Sequence, residues 1–427
     1  EEIETQTQKT SNEIKREADQ SISELKKMQQ EIKELNKKIL QKKELDWQDK
    51  KQVEELIKRQ EEIKNTLKEI SKKIQDNNSL EQKYKNQDEE ILRKQKEIEK
   101  LFNEVMNDEM KKIYEELKKL TEKQLDKDKL KESLDKLKIN NEDLEKQLDR
   151  NLEMFKRLEV EKKIQETIDK LNKTAQEQKK LSEETSKNPK DNKEIQNKQS
   201  QLTKSFEEIK KDIEEINKKG QKLEEPQTLN RDQEKEESIS QDQNSANKQL
   251  QIGKNKEASK SQKSASEKME KMSEEMQSDK DQQEQEQLEE DASLVRQILK
   301  NLVKLSLSQE ALLNKVKQIS VTDPQYQQLI NSQNKIKDDM RMISDSLFAM
   351  SKRQPQVGMA INKELVAIDN QIANSIENLL KYNQGIYGTY RNTGAASYQQ
   401  YAMTSMNNLA LMLAESLNKM QNQMKSN

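Results

Sequence analysis

The sequence predicts an all-α fold, with elongated antiparallel coiled-coil hairpins followed by a C-terminal four-helix bundle. Three observations carry that prediction. No glycine or proline occurs before Pro189 in a chain of 427 residues. Compact sheet-containing domains need such residues for their turns. Apolar residues recur mostly at spacings of 3, 4 or 7, the period of one helix face. Charged residues make up 37% of the chain and aromatics 3%, with Lys, Glu, Gln and Leu, all good helix formers, dominating.

The stripes are narrow, as in a coiled-coil seam. The first is Ile22, Leu25, Ile32, Leu35 and Ile39. A polar break follows at 43–47, where Asp46 is placed to cap a helix and Asp49 to sit at its third position. The second stripe is Val53, Leu56, Ile63, Leu67, Ile70 and Ile74. Further breaks are expected at 76–79, near 107–108 and at 140–142. Met110, Ile113, Leu117 and Leu120 form a third stripe, and Ile164, Ile168, Leu171 and Ala175 a fourth. Asn188-Pro189 stops a helix, because proline disfavours the α region at the residue before it. Gly220 and Pro226 close the next. Residues 1–220 therefore read as a coiled-coil stalk.

Residues 221–287 read as a polar linker and a weakly apolar helix. The part before Gly253 has so few aliphatics that a disordered or weakly helical segment is expected. After it, Ala258, Ala265, Met269, Met272 and Met276 suit a close, adaptable helix contact. At Leu288 the charged fraction falls from nearly half to about a fifth, which marks a boundary. Residues 288–427 then hold four apolar seams: Val295 to Ile319, Leu329 to Met350, Ile361 to Leu379, and Met406 to Met424. Breaks fall at 322–324, with Asp323 as cap and Pro324 at the first helical position, at 354–358 and at 385–394. Four similar helices with short connections make an up-down-up-down bundle.

The chemistry of catalysis finds little support. His and Cys are both absent, which removes the commonest general base, the best nucleophile, and imidazole or thiolate metal ligands. The six glycines never take phosphate-loop spacing. Neighbouring carboxylates such as Glu289, Glu290 and Asp291 lie on helix faces, without the cleft that would split their pKa values. No catalytic, cofactor-binding or metal-binding residue is assigned, no cofactor is implied, and no enzyme is expected. The 79 basic and 81 acidic residues interleave, so no nucleic-acid partner is expected.

Candidate partner-binding residues are Met340, Met350, Met406 and Met420, together with Tyr387 and Tyr390 in the last loop. The methionine stripe also suits core filling, which is the reading the spacing favours. Trp47, the single tryptophan, is expected to pack at a helix start on the adjacent hairpin helix; the rival reading is an exposed partner anchor.

Several segments carry a resemblance: LDRNLEMFKRLE at 148–159, ASKSQKSASEKMEKMSEEM at 258–276, VRQILKNLVKLSLSQEALL at 295–313, IKDDMRMISDSLFAMSKR at 336–353 and AMTSMNNLALML at 402–413. Together they resemble the C-terminal helical region of a large membrane-anchored envelope protein family of bacteroidete-type bacteria, known as a domain of unknown function. The 385–394 loop departs from that pattern. The resemblance implies transmembrane helices and β-rich modules upstream, and a place on the periplasmic side of the inner membrane. No run of about 18 apolar residues lies in this chain, so no span is expected within it. With Glu1 at its start, the chain is expected to be a mature chain or a fragment, its anchor in a missing N-terminal part. The expected function is a non-enzymatic scaffold or docking element acting through protein partners. A chaperone-like or regulatory binder with a Met-rich surface, and a cytoplasmic coiled-coil tether, are the alternatives. Homo-oligomerisation stays open.

Overall fold

The computed structural model describes residues 2–42, 46–84, 89–105, 108–122, 126–187, 192–320, 322–354, 359–383 and 393–426. Among the described residues there are eleven helices and no strand: α1 (Glu2–Gln41), α2 (Trp47–Tyr84), α3 (Glu89–Glu104), α4 (Asp108–Glu122), α5 (Lys127–Lys187), α6 (Asn192–Gly220), α7 (Gln233–Gln251), α8 (Asn255–Gln318), α9 (Tyr326–Ser351), α10 (Met359–Asn383) and α11 (Thr393–Ser426). The fold is an all-α helical bundle.

The chain divides into two compact units, and not at the expected boundaries. One unit holds Glu1–Phe155 and Glu290–Asn427; the other is Lys156–Glu289. The composition step near 288 does coincide with a unit edge. The expected stalk at 1–220, however, is shared between the units, and helix α8 runs unbroken through the composition step. Charge density reports how wet a helix surface is. It does not report which helices pack together.

In the first unit, α1 and α2 run antiparallel. Arg59 Nη1 reaches Glu31 at 2.6 Å, Arg59 Nε reaches Glu24 at 2.5 Å, and Lys73 meets Glu17 at 2.6 Å. Between them lie the seams that the periodicity picks out: Leu25, Met28, Ile32 and Ile39 of α1, and Val53, Leu67 and Ile70 of α2, each nearly or fully buried. The start of α2 is a capping box. Asp49 N–H donates to Asp46 Oδ1 at 3.0 Å, and Asp46 N–H donates to Asp49 Oδ2 at 3.0 Å. Two backbone donors that the helix leaves over are thereby satisfied. The N-terminal half of α5 is tied to α1 through Asn36 Nδ2 to Asp135 (2.7 Å) and Gln29 Nε2 to Glu145 (2.8 Å).

The breaks expected at 76–79 and 140–142 do not occur; α2 and α5 continue through both. Asn77 donates to Ser11 on α1 and Asn78 to Glu99 on α3. Their amides therefore serve neighbouring helices instead of capping their own. Asn141 is fully buried. At 322–324 the break is present but the cap differs. Asp323 Oδ1 accepts from Gln325 N–H, and α9 starts only at Tyr326, so Pro324 lies in a turn before the helix.

The second unit packs residues 156–187 of α5, α6, α7 and residues 255–289 of α8. Its main core joins Ile164, Ile168 and Leu171 with Phe206, Ile213, Ile239 and Met269. The segment before Gly253, expected to be disordered or weakly helical, is largely helix α7. Its few apolar residues fall in one stripe: Ile239, Gln243, Ala246 and Leu250 are each fully buried. Spacing outweighs hydrophobic content there, since a helix face needs only one buried residue every three or four. The Met and small-residue face of α8 makes the expected close contact. Ser266 Oγ donates to the Ala175 carbonyl at 2.9 Å and Ser259 Oγ to the Ser182 carbonyl at 2.8 Å. A short side chain reaches a neighbouring backbone only when the helices approach closely.

The loop after α6 doubles back on its own helix. Gln227 N–H donates to the Gly220 carbonyl at 3.2 Å, and the Asn217 amide holds Leu229 by both its N–H and its carbonyl. A Cβ on Gly220 would meet the Gln227 carbonyl oxygen at 1.6 Å, so this position accepts only glycine.

Candidate docking surface

Met340, Met350, Met406 and Met420 are all 0% exposed. They fill the core of the α8–α11 bundle, beside Leu347, Ile368 and Leu413, and present no surface to a partner. This corrects their assignment as partner-binding residues. Tyr387 and Tyr390 lie outside the described residues. Trp47 is 71% exposed, with the Lys51 ammonium 5.3 Å from its ring centroid. The expectation that it packs on the adjacent helix is therefore corrected: its ring carries a cation–π contact on the surface.

Each of two helix groups is crossed by a buried polar layer with one residue from every helix. In the second unit these are Gln178 of α5, Gln199 of α6, Gln243 of α7 and Gln262 of α8, all 0% exposed. Gln178 and Gln199 exchange two hydrogen bonds. Gln243 donates to Gln178 at 3.3 Å and Gln262 to Gln199 at 3.0 Å. In the C-terminal bundle the layer is Gln309, Gln333, Ser375 and Gln399, one each from α8 to α11, again fully buried. Gln309 and Gln333 exchange bonds at 3.0 and 2.8 Å, and Gln399 donates to Gln333 at 2.8 Å. These amides are neutral and turned inward. They suit helix register, a role attested for buried amides in coiled coils.

A denser polar node joins α5, α8 and the end of α9 within the first unit. Lys352 Nζ reaches Asp149 at 2.6 Å. Arg353 Nη2 reaches Asp291 Oδ1 at 2.6 Å, and Gln354 Nε2 donates to Asp291 Oδ2 at 2.7 Å. Asp291 is fully buried, so this pair works away from water. Beside Asp149 along α5, Arg150 is the largest fully buried side chain. Its Nε donates to Asn151 at 3.2 Å, while Nη1 and Nη2 have no hydrogen-bond partner. Burial lowers its pKa from the usual guanidinium range to about 10. Every residue from 147 to 155 except Asp149 is buried, so α5 is enclosed nearly all round here. The stripe pattern does not single out Arg150; an arginine between Leu148 and Leu152 is the only signal the sequence offers.

Exposed apolar residues concentrate elsewhere. Of the ten large hydrophobic side chains exposed among the described residues, Val303, Leu307, Met342, Leu380, Tyr401 and Leu411 lie in the last four helices. Val303, Leu307 and Leu411 are 50%, 60% and 71% exposed. Val303 and Leu307 lie on the side of α8 opposite its buried stripe, and Leu411 on the side of α11 opposite its own, while Ser306 Oγ donates to Asn407 Oδ1 at 3.0 Å between the two helices. The sequence signal for them is surplus. Residues 295–313 hold more Leu and Val than one buried stripe can use, and Val303 and Leu307 fall off that stripe.

Among the described residues no group of three or more acidic side chains is arranged to hold a metal ion, and no helix is long and apolar enough to cross a membrane. No protein-family model, curated protein or solved structure matches the chain.

Proposed function

We propose that this chain is a non-enzymatic scaffold or docking element of the bacterial cell envelope, acting through protein–protein contacts made by its C-terminal helices. The observation that carries the reading is the clustering of six of the ten exposed large hydrophobics in Glu290–Asn427. Scattered exposed leucines are ordinary, whereas a concentration of exposed apolar side chains in one group of helices suits a partner contact. The α1–α2 hairpin, most of whose apolar residues are buried, serves as a spacer in this reading. The placement on the periplasmic side of the inner membrane rests on the resemblance of residues 258–276 and 295–313 to an envelope family.

The chaperone-like alternative depends on a Met-rich groove. The burial of Met340, Met350, Met406 and Met420 removes that support. The test uses the full chain immobilised against an envelope extract. A defined set of proteins should be enriched, and the set should be lost with Leu411→Asp and kept with Lys27→Glu on α1. Loss with Lys27→Glu and retention with Leu411→Asp would move the docking role to the hairpin and overturn the reading.

A further inference from the structure

We propose that Arg150 and Asn151 of α5 form a binding site for one small inorganic anion of the chloride type, inside the first unit. The inference does not depend on the docking reading, and its failure would leave that reading untouched.

Arg150 and Asn151 are both 0% exposed. Their side chains touch, with Arg150 Nε donating to Asn151 Oδ1 at 3.2 Å. Three donors remain beside that bond: Arg150 Nη1, Arg150 Nη2 and Asn151 Nδ2. None has a hydrogen-bond partner among the described residues. All three belong to one guanidinium and the amide hydrogen-bonded to it, which keeps them close together. Gln147 lies one turn back on the same helix face. It leaves a single acceptor, Oε1, without a partner, while its Nε2 donates to Asp143 at 2.7 Å.

The charge is as isolated as the donors. Asp143 Oδ2 accepts from Gln147, Asp149 pairs with Lys352, and Asp291 takes Arg353 and Gln354. Glu153, one turn further along α5, is buried but accepts nothing from the guanidinium. A buried charge without a counter-charge is among the costliest arrangements in a protein interior. Water would satisfy the donors and leave the charge uncompensated. An anion does both, and three N–H donors against one acceptor is the balance such a ligand needs. The surroundings set its size. Every residue from 147 to 155 except Asp149 is buried. A monatomic ion suits that packing, whereas phosphate or a carboxylate metabolite brings several further oxygens that need donors. Chloride is then the counter-ion of Arg150, and it ties the stability of this part of α5 to ionic composition by mass action.

The test follows hydrogen exchange of the full chain at constant ionic strength, with sodium gluconate replaced stepwise by sodium chloride. Constant ionic strength removes general screening. Between chloride-free buffer and about 150 mM chloride, exchange of the 148–152 amides should slow about tenfold, which corresponds to a Kd of about 17 mM. The 206–216 amides of α6 should not respond. In Arg150→Met the 148–152 amides should change less than about twofold, and Asn151→Leu should need several times more chloride than the parent. In chloride-free buffer Arg150→Met should be at least as stable as the parent, and chloride should narrow the difference. Crystals of the parent grown in bromide should show an anomalous peak within hydrogen-bond reach of Arg150 Nη1 or Nη2, a result that needs no variant to fold. A flat chloride series in the parent, or equal slowing of the α5 and α6 amides, overturns the proposal. So does a chloride response that survives in Arg150→Met, or a bromide map with no peak at Arg150. Ordered waters against Nη1 and Nη2 together with a flat series would make the site one of hydration only, and overturn it too.

Discussion

Gln178 and Gln199 hold each other by both ends of their amides. Nε2 of Gln178 donates to Oε1 of Gln199 at 2.8 Å, and Nε2 of Gln199 donates back at 3.1 Å. Gln309 and Gln333 repeat the arrangement in the C-terminal bundle. A buried amide left without its partner costs about 1–3 kcal/mol, whereas replacing both partners by apolar groups of similar shape is close to neutral. Gln199→Leu alone should therefore lower stability by about 1–3 kcal/mol. Replacing Gln178, Gln199, Gln243 and Gln262 together by Leu should recover that loss. Urea denaturation of the single and quadruple variants checks this. A single variant as stable as the parent would mean the layer contributes nothing.

The helices and seams are legible in the sequence because one buried residue per turn leaves a periodic mark, as in Leu25, Ile32 and Ile39. The capping box at Asp46 and Asp49 is legible for the same local reason. What escapes is non-local. Asn77 and Asn78 look like a helix stop until their amides find Ser11 and Glu99. Helix α7 looks unstructured until Gln243 is placed in a layer of four glutamines. The methionines mislead as docking candidates because Met340 and Met406 fit a core and an adaptable surface equally well by spacing. The off-stripe positions of Val303 and Leu307 carry the better signal.

Gly220 is the position where backbone geometry is most constrained. Gly220→Ala would drive a methyl group into the Gln227 carbonyl, whose oxygen lies 1.6 Å from the ideal Cβ site. No side-chain rotation relieves a clash with backbone. The loop must shift, breaking the Gln227–Gly220 bond and straining the Asn217 clamp on Leu229. A loss of more than about 1 kcal/mol is expected, with faster amide exchange at Gln227 and Leu229. Gly253 has open space around its ideal Cβ site, with nothing within 4 Å, but a φ of +74°. Alanine there should destabilise through backbone strain alone.

Arg150 should be dispensable for folding and costly to keep. Its folded pKa, about 10, lies below the ordinary guanidinium range because burial penalises the charge. The charged form is therefore disfavoured in the folded state, and below pH 10 the penalty is present in full. A shift of that size corresponds to ~3 kcal/mol. Arg150→Met keeps the length of the apolar stem and removes the charge, and should raise stability by about 1–3 kcal/mol. A lower melting temperature for that variant would mean the guanidinium is stabilising where it lies.

Asp232 caps α7 by accepting from Lys235 N–H at 2.9 Å, and this bond holds its carboxyl below the usual carboxylate range. For a depressed acid, the stabilisation is complete above the unfolded value near 3.8 and is lost as pH falls through the lower folded value. Asp232→Asn keeps an oxygen acceptor that does not titrate. Parent and variant should differ little in their dependence on pH near 7. Below pH 4 the parent should lose protection of the Lys235 amide while the variant keeps it, as read by hydrogen exchange.

Asp291 and Arg353 form the buried ion pair on which the end of α9 depends. Asp291 is fully buried and accepts from both Arg353 and Gln354. Removing one partner strands the other's charge or amide away from water, a loss of about 3–5 kcal/mol. Removing both charges with groups of similar volume is often neutral or better, because the desolvation cost disappears along with the attraction. Asp291→Leu and Arg353→Met should each be strongly destabilising, and the double variant should be more stable than either. Lys352, paired with Asp149 at 2.6 Å, belongs to the node's other ion pair. Lys352→Met should cost less than Arg353→Met, because Asp149 is about 41% exposed and water can solvate its carboxylate once the lysine is gone. Equal losses for the lysine and arginine variants would mean that Asp149 is as desolvated as Asp291. Additive losses in the Asp291→Leu/Arg353→Met double variant would show that the two side chains do not act as a pair.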